Sequence, residues 1–387
     1  MRPRRRPGQV LALGISVTTL LLLTAACSSS SGSSSSGGTA GASGASSMSA
    51  TAAAGLAQAQ AMVAKYTTRP TSIPIDTPLK ATVPTGKSLL FISCGVSACT
   101  LEASIIKGVT DKLGWSFSTI ATSGTPQSIK AAWDTAVREK PSAVMYTGTD
   151  DTYFASELAT LRANGTVVSD CCVTGTPPTN FNTNTVAQNQ PVGALFADWV
   201  TAESGGSAKV LQVTVSAYPT LLGYVQGYNT EIAKVCPNCT THLLDISYPD
   251  ISAGNAPNDI VSYLRANPST KYVVLNLDSS LGIGLPAAIA AAGLTGIKTI
   301  GTGPDSTILQ YVKDGQQAAT IPFPYYEELG GAMIDGVLRA MTDQPAINGT
   351  TLSLPLWIVT KNNIPSTQVF PIVATSQQQF YKLWGLG

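Results

Sequence analysis

LLFISCGVSACTLEASIIKGVTDKLGWSFSTI, residues 89–120, decides the architecture of this chain. It opens on Leu89-Leu90-Phe91-Ile92, an apolar run without alternation. A strand that is apolar on both faces needs cover on both faces. Leu101, Ile105, Ile106 and Val109 then recur at helical spacing. They predict a helix over 101–113, with Gly114 just past its end. Phe117-Ser118-Thr119-Ile120 reads as the next strand. A strand, a crossing helix and a second strand make the repeating unit of a parallel sheet.

The unit repeats in both directions. Downstream come a helix over 126–138, a strand over 144–146, a helix over 153–163 and a strand over 167–170. A second series starts near Gln190, with helices over 192–202, 221–235, 260–266 and 286–292. Its strands are expected over 210–215, 243–248, 272–277 and 299–301. Two series predict an α/β protein of two Rossmann-like lobes, each a parallel sheet flanked by helices. The last stretch breaks the period: a strand over 320–323, a long helix over 326–341 and a strand over 352–359. Such a tail crosses back to complete the first lobe. Upstream, residues 52–66 read as an Ala-rich helix, and the proline-rich stretch 67–84 as an extended segment wrapping the domain.

The N-terminus carries Arg2, Arg4, Arg5 and Arg6, then an apolar run from Val10 to Leu23 that is short for a transmembrane span. Thr24-Ala25-Ala26-Cys27 follows and resembles a bacterial lipobox, with Thr24 where Leu is usual. The resemblance implies a signal peptide over 1–26 and lipidation of Cys27. Residues 27–50, mostly Ser, Gly, Ala and Thr, read as a tether that cannot bury a core. The expected location is extracytoplasmic, anchored to the bacterial cell membrane.

Charged residues make up only 12% of the chain. Four of the 23 Lys and Arg precede residue 27, leaving 19 against 22 Asp and Glu and a net charge of −3. That balance gives no basic nucleic-acid surface. One histidine, His242, leaves little material for His-based metal sites or triads. Besides Cys27 there are six cysteines in three close pairs: Cys94 and Cys99, Cys171 and Cys172, Cys236 and Cys239. In an exported protein an even number suggests disulfides, and local pairing is the simplest of the fifteen possibilities. Cys171–Cys172 would then be a vicinal disulfide; free thiols or cross-pairing with Cys94 or Cys99 are the alternatives. Cys236-Pro237-Asn238-Cys239 closes a helix and precedes a strand, opposite to a redox motif, and no second CxxC completes a zinc site.

Other motifs carry less. Gly86-Lys87-Ser88 lacks the upstream glycine of a phosphate loop and precedes a strand instead of following one. Gly282-Ile283-Gly284-Leu285-Pro286-Ala287 matches a relaxed dinucleotide fingerprint, but Pro286 in the first turn of a helix explains it as well. No GxSxG elbow exists, and Asp150-Asp151 suits a helix cap at a strand–helix junction. In open parallel sheets the ligand lies outside the carboxyl ends of the strands. Those ends are rich in aromatic, hydroxyl and acidic groups, which suits a small neutral ligand.

From about Lys87 to about Val359 the chain resembles the type I periplasmic binding proteins, the ribose- and galactose-type receptors of ABC importers. The carrying stretches are Asp111-Lys112-Leu113-Gly114-Trp115, Asn164-Gly165-Thr166-Val167-Val168-Ser169-Asp170, Asn184-Thr185-Val186-Ala187-Gln188-Asn189 and Asp314-Gly315-Gln316-Gln317-Ala318-Ala319-Thr320-Ile321. The resemblance implies two lobes joined by three crossovers, residues 66–184 plus 324–355 and residues 185–323 plus 356–387. It implies a hinged cleft for a small sugar-like ligand, docking on ABC permease subunits, a monomer, and neither cofactor nor metal. The family's sugar-gripping Asp falls on Asp170, and the Arg that usually follows it is Cys171 here. Val96, Ala98 and Cys99 stand where the family has Asn and paired Phe, and Ser97 between them joins the candidate set. A second-lobe Arg falls near Tyr224, and a hinge Gln near Phe323. With the strand-end residues Tyr146, Asp150, Tyr218, Asp278 and Asp305, these form the candidate ligand set. The altered polar set leaves an aromatic or cyclic-alcohol ligand open. A ligand sensor for a membrane kinase and an exported hydrolase are the other readings.

Overall fold

A computed structural model describes residues 48–93, 97–147, 149, 151–171, 183–185, 189–345, 347 and 354–387. Cys27 and the whole of the expected signal peptide lie outside these residues. Helix α1 (Ala50–Thr67) opens the described chain, capped by the Ser49 hydroxyl. The first lobe then alternates β1 (Ser88–Ser93), α2 (Ser97–Leu113), β2 (Ser116–Ala121), α3 (Pro126–Glu139), β3 (Ala143–Thr147), α4 (Ala155–Ala163), β4 (Val167–Cys171) and β5 (Thr183–Thr185). The five strands are parallel, in the order β2-β1-β3-β4-β5.

The second lobe runs α5 (Asn189–Ser204), β6 (Lys209–Thr214), α6 (Pro219–Val235), β7 (Thr240–Asp245), α7 (Tyr248–Ser252), α8 (Ala256–Ala266), β8 (Tyr272–Leu275), α9 (Asp278–Leu281), α10 (Leu285–Ala291), β9 (Lys298–Thr302), α11 (Ser306–Lys313) and β10 (Ala319–Ile321). Its strands are also parallel, in the order β10-β9-β8-β6-β7. Helices α12 (Tyr325–Glu327), α13 (Met333–Met341) and α14 (Ser376–Leu383) complete the molecule.

The apolar run Leu89–Ile92 lies in a central strand, β1. Leu89 and Phe91 face a layer with Ile106 of α2, Met145, and Met333 and Leu338 of α13. Leu90 and Ile92 face the opposite layer, with Trp133 of α3 and Leu158 of α4. In the second lobe, Val213, Leu275 and Ile300 pack with Phe196 of α5 and Tyr228 of α6. Helices α5 and α6 touch through glycine. A Cβ on Gly193 would stand 2.1 Å from the Tyr224 carbonyl oxygen, and one on Gly227 would stand 2.0 Å from that of Gln190.

Several elements differ from the sequence reading. The strand expected over 243–248 lies at 240–245, because Ser247 caps α7 and Pro249 sits in its first turn. The long helix of the tail is interrupted by a π segment, Glu328–Ala332, between α12 and α13. The strand expected over 352–359 reduces, among the described residues, to one antiparallel bridge, Thr320 to Val359. Ile358 spends its amide on the Tyr66 carbonyl at 2.7 Å, so this segment pairs with the end of α1 instead of extending a sheet.

The chain passes between the lobes more often than the three expected crossovers. Val63 and Tyr66 of α1 pack on the second-lobe core, whereas Ile75 and Val83 belong to the first. At the other end, Trp357, Val359 and Ile372 pack with Leu309 and Val312 of α11, while Phe380 and Trp384 return to the first-lobe core. The last helix therefore departs from the expected placement of 356–387 in the second lobe. Its apolar side fits against Gly331, where an added Cβ would meet the Phe380 ring at 2.1 Å.

Candidate functional site: the cleft between the lobes

Because every strand pair is parallel, each sheet has one edge at which all its strands end. The first turns of α2, just after β1, approach the β9–α11 loop. Leu101 from the first lobe and Gly303, Pro304 and Asp305 from the second bound an open pocket of about 320 Å³, with Tyr325 beside them. The helix that follows β1 and the loop that follows β9 thus share one cavity, on the side where fold logic places a ligand.

The groups near it are acidic and aromatic. Glu102 of α2 is buried and accepts a hydrogen bond from the Thr147 hydroxyl at 3.1 Å. Burial raises its pKa to about 8, against the lowering effect of that bond. Tyr325 follows the return crossover and is buried. Burial pushes its phenol well up, and the Glu102, Asp278 and Glu328 carboxyls and the Tyr224 phenol push the same way. Glu328 opens the π segment and is fully buried. It lines a small hinge pocket with Asn189, Tyr224, Thr302 and Phe323. π segments recur at functional sites because they turn side chains out of helical register; here Glu327 accepts from the Val373 amide while Glu328 faces the hinge.

The expected site residues do not all arrive at the cleft. Asp305 does: it lines the pocket and caps α11, accepting from the Ile308 amide at 2.9 Å. Phe323 and Tyr224 line the hinge pocket, with the Phe323 ring 4.8 Å from that of Tyr325. Burial raises the Tyr224 phenol, and the Glu328 and Asp278 carboxyls add to it. Tyr218 precedes α6 half-buried, its ring edge-on to Tyr248 at 6.1 Å. Asp170 is buried opposite Tyr146 in the β3–β4 register. Burial lifts its pKa to about 8, with the Asp151 carboxylate pushing the same way.

Two expectations are corrected. Tyr146 shares the strand face of Val144, and its ring packs edge-on against Trp133 at 5.1 Å and Phe154 at 5.3 Å within the first-lobe core. Asp278 lies over the second sheet, accepting from Thr320 at 2.7 Å and Gln317 at 3.1 Å, and pins β10 to α9. Burial raises its pKa to about 8, against those hydrogen bonds. A Cβ on Gly301 would stand 2.5 Å from that of Asp278, so the packing leaves no room for a ligand there.

Val96, Asp150, Cys94 and Cys172 lie outside the described residues, as do the side chains of Ser97 and Cys171. Cys99 is buried and disulfide-bonded, its partner outside the described residues. Cys236 and Cys239 form a disulfide across the turn between α6 and β7. His242 lies within β7, stacked on Tyr263 at 4.6 Å. Among the described residues, no group of three His, Cys, Asp or Glu is placed to hold a metal ion, and no helix is long and apolar enough to cross a membrane.

The sequence reading missed Glu102, Thr147, Tyr325 and Glu328. One signal was available: Glu327-Glu328 sits beside Gly330-Gly331 in an otherwise apolar helix, and carboxylates inside such a run need a specific reason to be buried.

A family model described as a periplasmic binding protein domain matches residues 104–344. The chain belongs to this family. Among solved structures, this periplasmic binding protein is similar to an ABC sugar transporter subunit from Rhodobacter sphaeroides, 20% identical, with a TM-score of 0.61 over 72% of this chain and 99% of that one. A solute-binding protein of an ABC transporter from Actinobacillus succinogenes with bound D-allose is 16% identical, with a TM-score of 0.63 over 71% of this chain and 98% of that one. An Agrobacterium vitis solute-binding protein with bound allitol is 19% identical, with a TM-score of 0.61 over 72% and 97%. At these identities the likeness concerns the fold. No curated protein matches the chain.

Proposed function

We propose that this periplasmic binding protein captures a small sugar-like ligand between its lobes, serves as the extracytoplasmic receptor of an ABC importer, and performs no chemistry on what it binds. The observation that carries the reading is the cavity between the first lobe's α2, at Leu101, and the second lobe's β9–α11 loop, at Asp305, with Tyr325 beside them. A carboxylate can accept hydroxyl protons, and rings can cover the apolar face of a sugar. The similar structures with bound D-allose and allitol favour a polyhydroxylated ligand. Closure of the lobes on it would present one surface to the permease subunits.

A thermal-shift screen over sugars, polyols, aromatic acids and cyclic alcohols tests this. A ligand that binds only the folded protein adds about 2.7 kcal/mol of stability at 100 times its Kd. A sugar or polyol hit without turnover is expected. A hit confined to aromatic acids sinks the sugar reading, and consumption of the hit sinks the receptor reading.

The anchor and the vicinal disulfide complete the proposal. Cys27→Ala should move the protein from the membrane fraction to the soluble one; unchanged fractionation rules lipidation out as the anchor. Non-reducing peptide mapping should show Cys171 linked to Cys172. A link from either to Cys94 or Cys99, or free alkylation, removes the vicinal bond.

A further inference from the structure

The stretch expected to be a tether leads directly into α1, and α1 lies on α5 and α6 of the second lobe. Gly55 presses on the end of α6, where an added Cβ would stand 2.4 Å from the Val235 carbonyl oxygen. Further along α1, Gln58 donates to Glu231 of α6 at 2.8 Å. Glu231 precedes Val235 by about one turn of α6, so the stretch from Gly55 to Gln58 covers that turn.

Asp198 of α5 neighbours Glu231 there. It is 2% exposed, and its Oδ1 meets no hydrogen-bond partner among the described residues. A buried carboxylate without partners is costly when charged. Its charged neighbours are Glu231 and Lys234, and Lys234 points outward, pairing with Glu231 at 3.3 Å. The other titratable groups of the three helices are engaged elsewhere. Lys65 of α1 lies over the Tyr66 ring at 4.8 Å, and Glu203 of α5 pairs with Lys298 at 2.6 Å. On α6, the Tyr228 hydroxyl shares a hydrogen bond with Thr241 at 3.2 Å, and Tyr224 lines the hinge pocket. Burial lifts the Asp198 carboxyl to about 7; Glu231 adds to the rise and Lys234 opposes it.

We propose that α1 is a proton-dependent latch: a protonated Asp198 holds it on α5 and α6, and ionisation of Asp198 beside Glu231 loosens it. An ionised carboxylate at this junction is dry, short of hydrogen bonds and next to a like charge. Lifting α1 admits water to it, so loss of the proton favours the lifted state. In water the carboxyl ionises near 3.8, and under α1 it ionises near 7. Docking is therefore strongest below about pH 4, weakens as pH rises to about 7 and is level above that. With the anchor proposed above, a lifted α1 would add its 18 residues to the leash between membrane and lobes.

Hydrogen exchange on the full chain, without ligand, tests the latch. Corrected for the intrinsic exchange rate, the opening constant of the α1 amides should rise at least about fivefold from about pH 5 to about pH 7, and less than about twofold from there to about pH 8. The amides of β8, in the middle of the second sheet, should not follow. Asp198→Asn keeps the shape and removes the ionisation, so α1 of that variant should open equally at all these pH values. Glu231→Gln keeps an acceptor for Gln58 and removes the like charge, so its rise should be smaller than that of the wild type. The Gln variant keeps the question decidable if the Asn variant does not fold. A flat wild-type profile overturns the latch. So does a rise that β8 shares, which is global unfolding, or one that either variant leaves unchanged.

Discussion

Glu102 keeps its carboxyl inside the first lobe with one neutral partner, the Thr147 hydroxyl. Unfolded, such a group ionises near 4.5; folded, burial holds the proton to about 8. Across that window the native state binds more protons than the unfolded one, so stability falls as pH rises from about 4.5 and levels off above about 8. The slope for one such group is at most about 1.4 kcal/mol per pH unit. Glu102→Gln keeps an oxygen for Thr147 and removes the ionisation. Urea unfolding at about pH 5, 6.5 and 8 should show a shallower decline for the variant than for the wild type. Equal declines would take Glu102 out of the account and leave Asp170, Asp198, Asp278 and Glu327, raised by burial in the same direction, as its sources.

At the scale of elements, the decisive contacts are those that admit no side chain. Gly193 and Gly227 let α5 and α6 close until backbone meets backbone, with carbonyl oxygens where a Cβ would stand. Backbone cannot swing aside as a side chain can, so Gly193→Ala should cost more than the usual 1–3 kcal/mol of overpacking, about 3 kcal/mol or above. Gly108 in α2 has open space around it, and Gly108→Ala should stabilise by about 0.5–1 kcal/mol. Parallel urea titrations of both variants check the pair; equal effects would mean the α5–α6 contact can relax. Neither role was legible in the sequence, where a helical glycine looks the same in both places. What was legible was burial: Leu89 to Ile92, apolar on consecutive positions, declared a strand covered on both faces, and the alternation that followed gave both lobes. Tyr146 shows the limit of that logic. Its place at a strand end was readable, but its face follows from the register with Val144, and that turned the ring into the core. The tail was misjudged for a related reason. Residues 354–359 have a strand-like composition, yet their partner is the end of α1, more than 280 residues earlier, and no local pattern announces such a pairing.

For the whole molecule, those long-range ties govern how the lobes are held. Arg69 lies just past α1, where the chain leaves the second lobe. Its guanidinium donates to the Ile372 carbonyl at 2.9 Å and the Pro371 carbonyl at 2.8 Å, and stands 4.9 Å over the Trp357 ring. Beyond it, Gln379 of α14 accepts from the Ile73 amide and donates to the Thr71 carbonyl, and the Leu79 amide donates to Leu383. The N-terminal strap and the C-terminal tail thus run beside each other across the hinge, and Arg69 is where they are fastened. Losing two charge-assisted hydrogen bonds and a ring contact should make Arg69→Ala less stable by about 2–3 kcal/mol. Arg69→Lys keeps the charge but lacks the planar fork that reaches two carbonyls at once, so it should recover less than half of that loss. Unfolding by urea measures both. A Lys variant as stable as the wild type would mean that charge alone fastens the strap, and an Ala variant within about 0.5 kcal/mol would place the fastening on Gln379 and the Leu79–Leu383 bond instead.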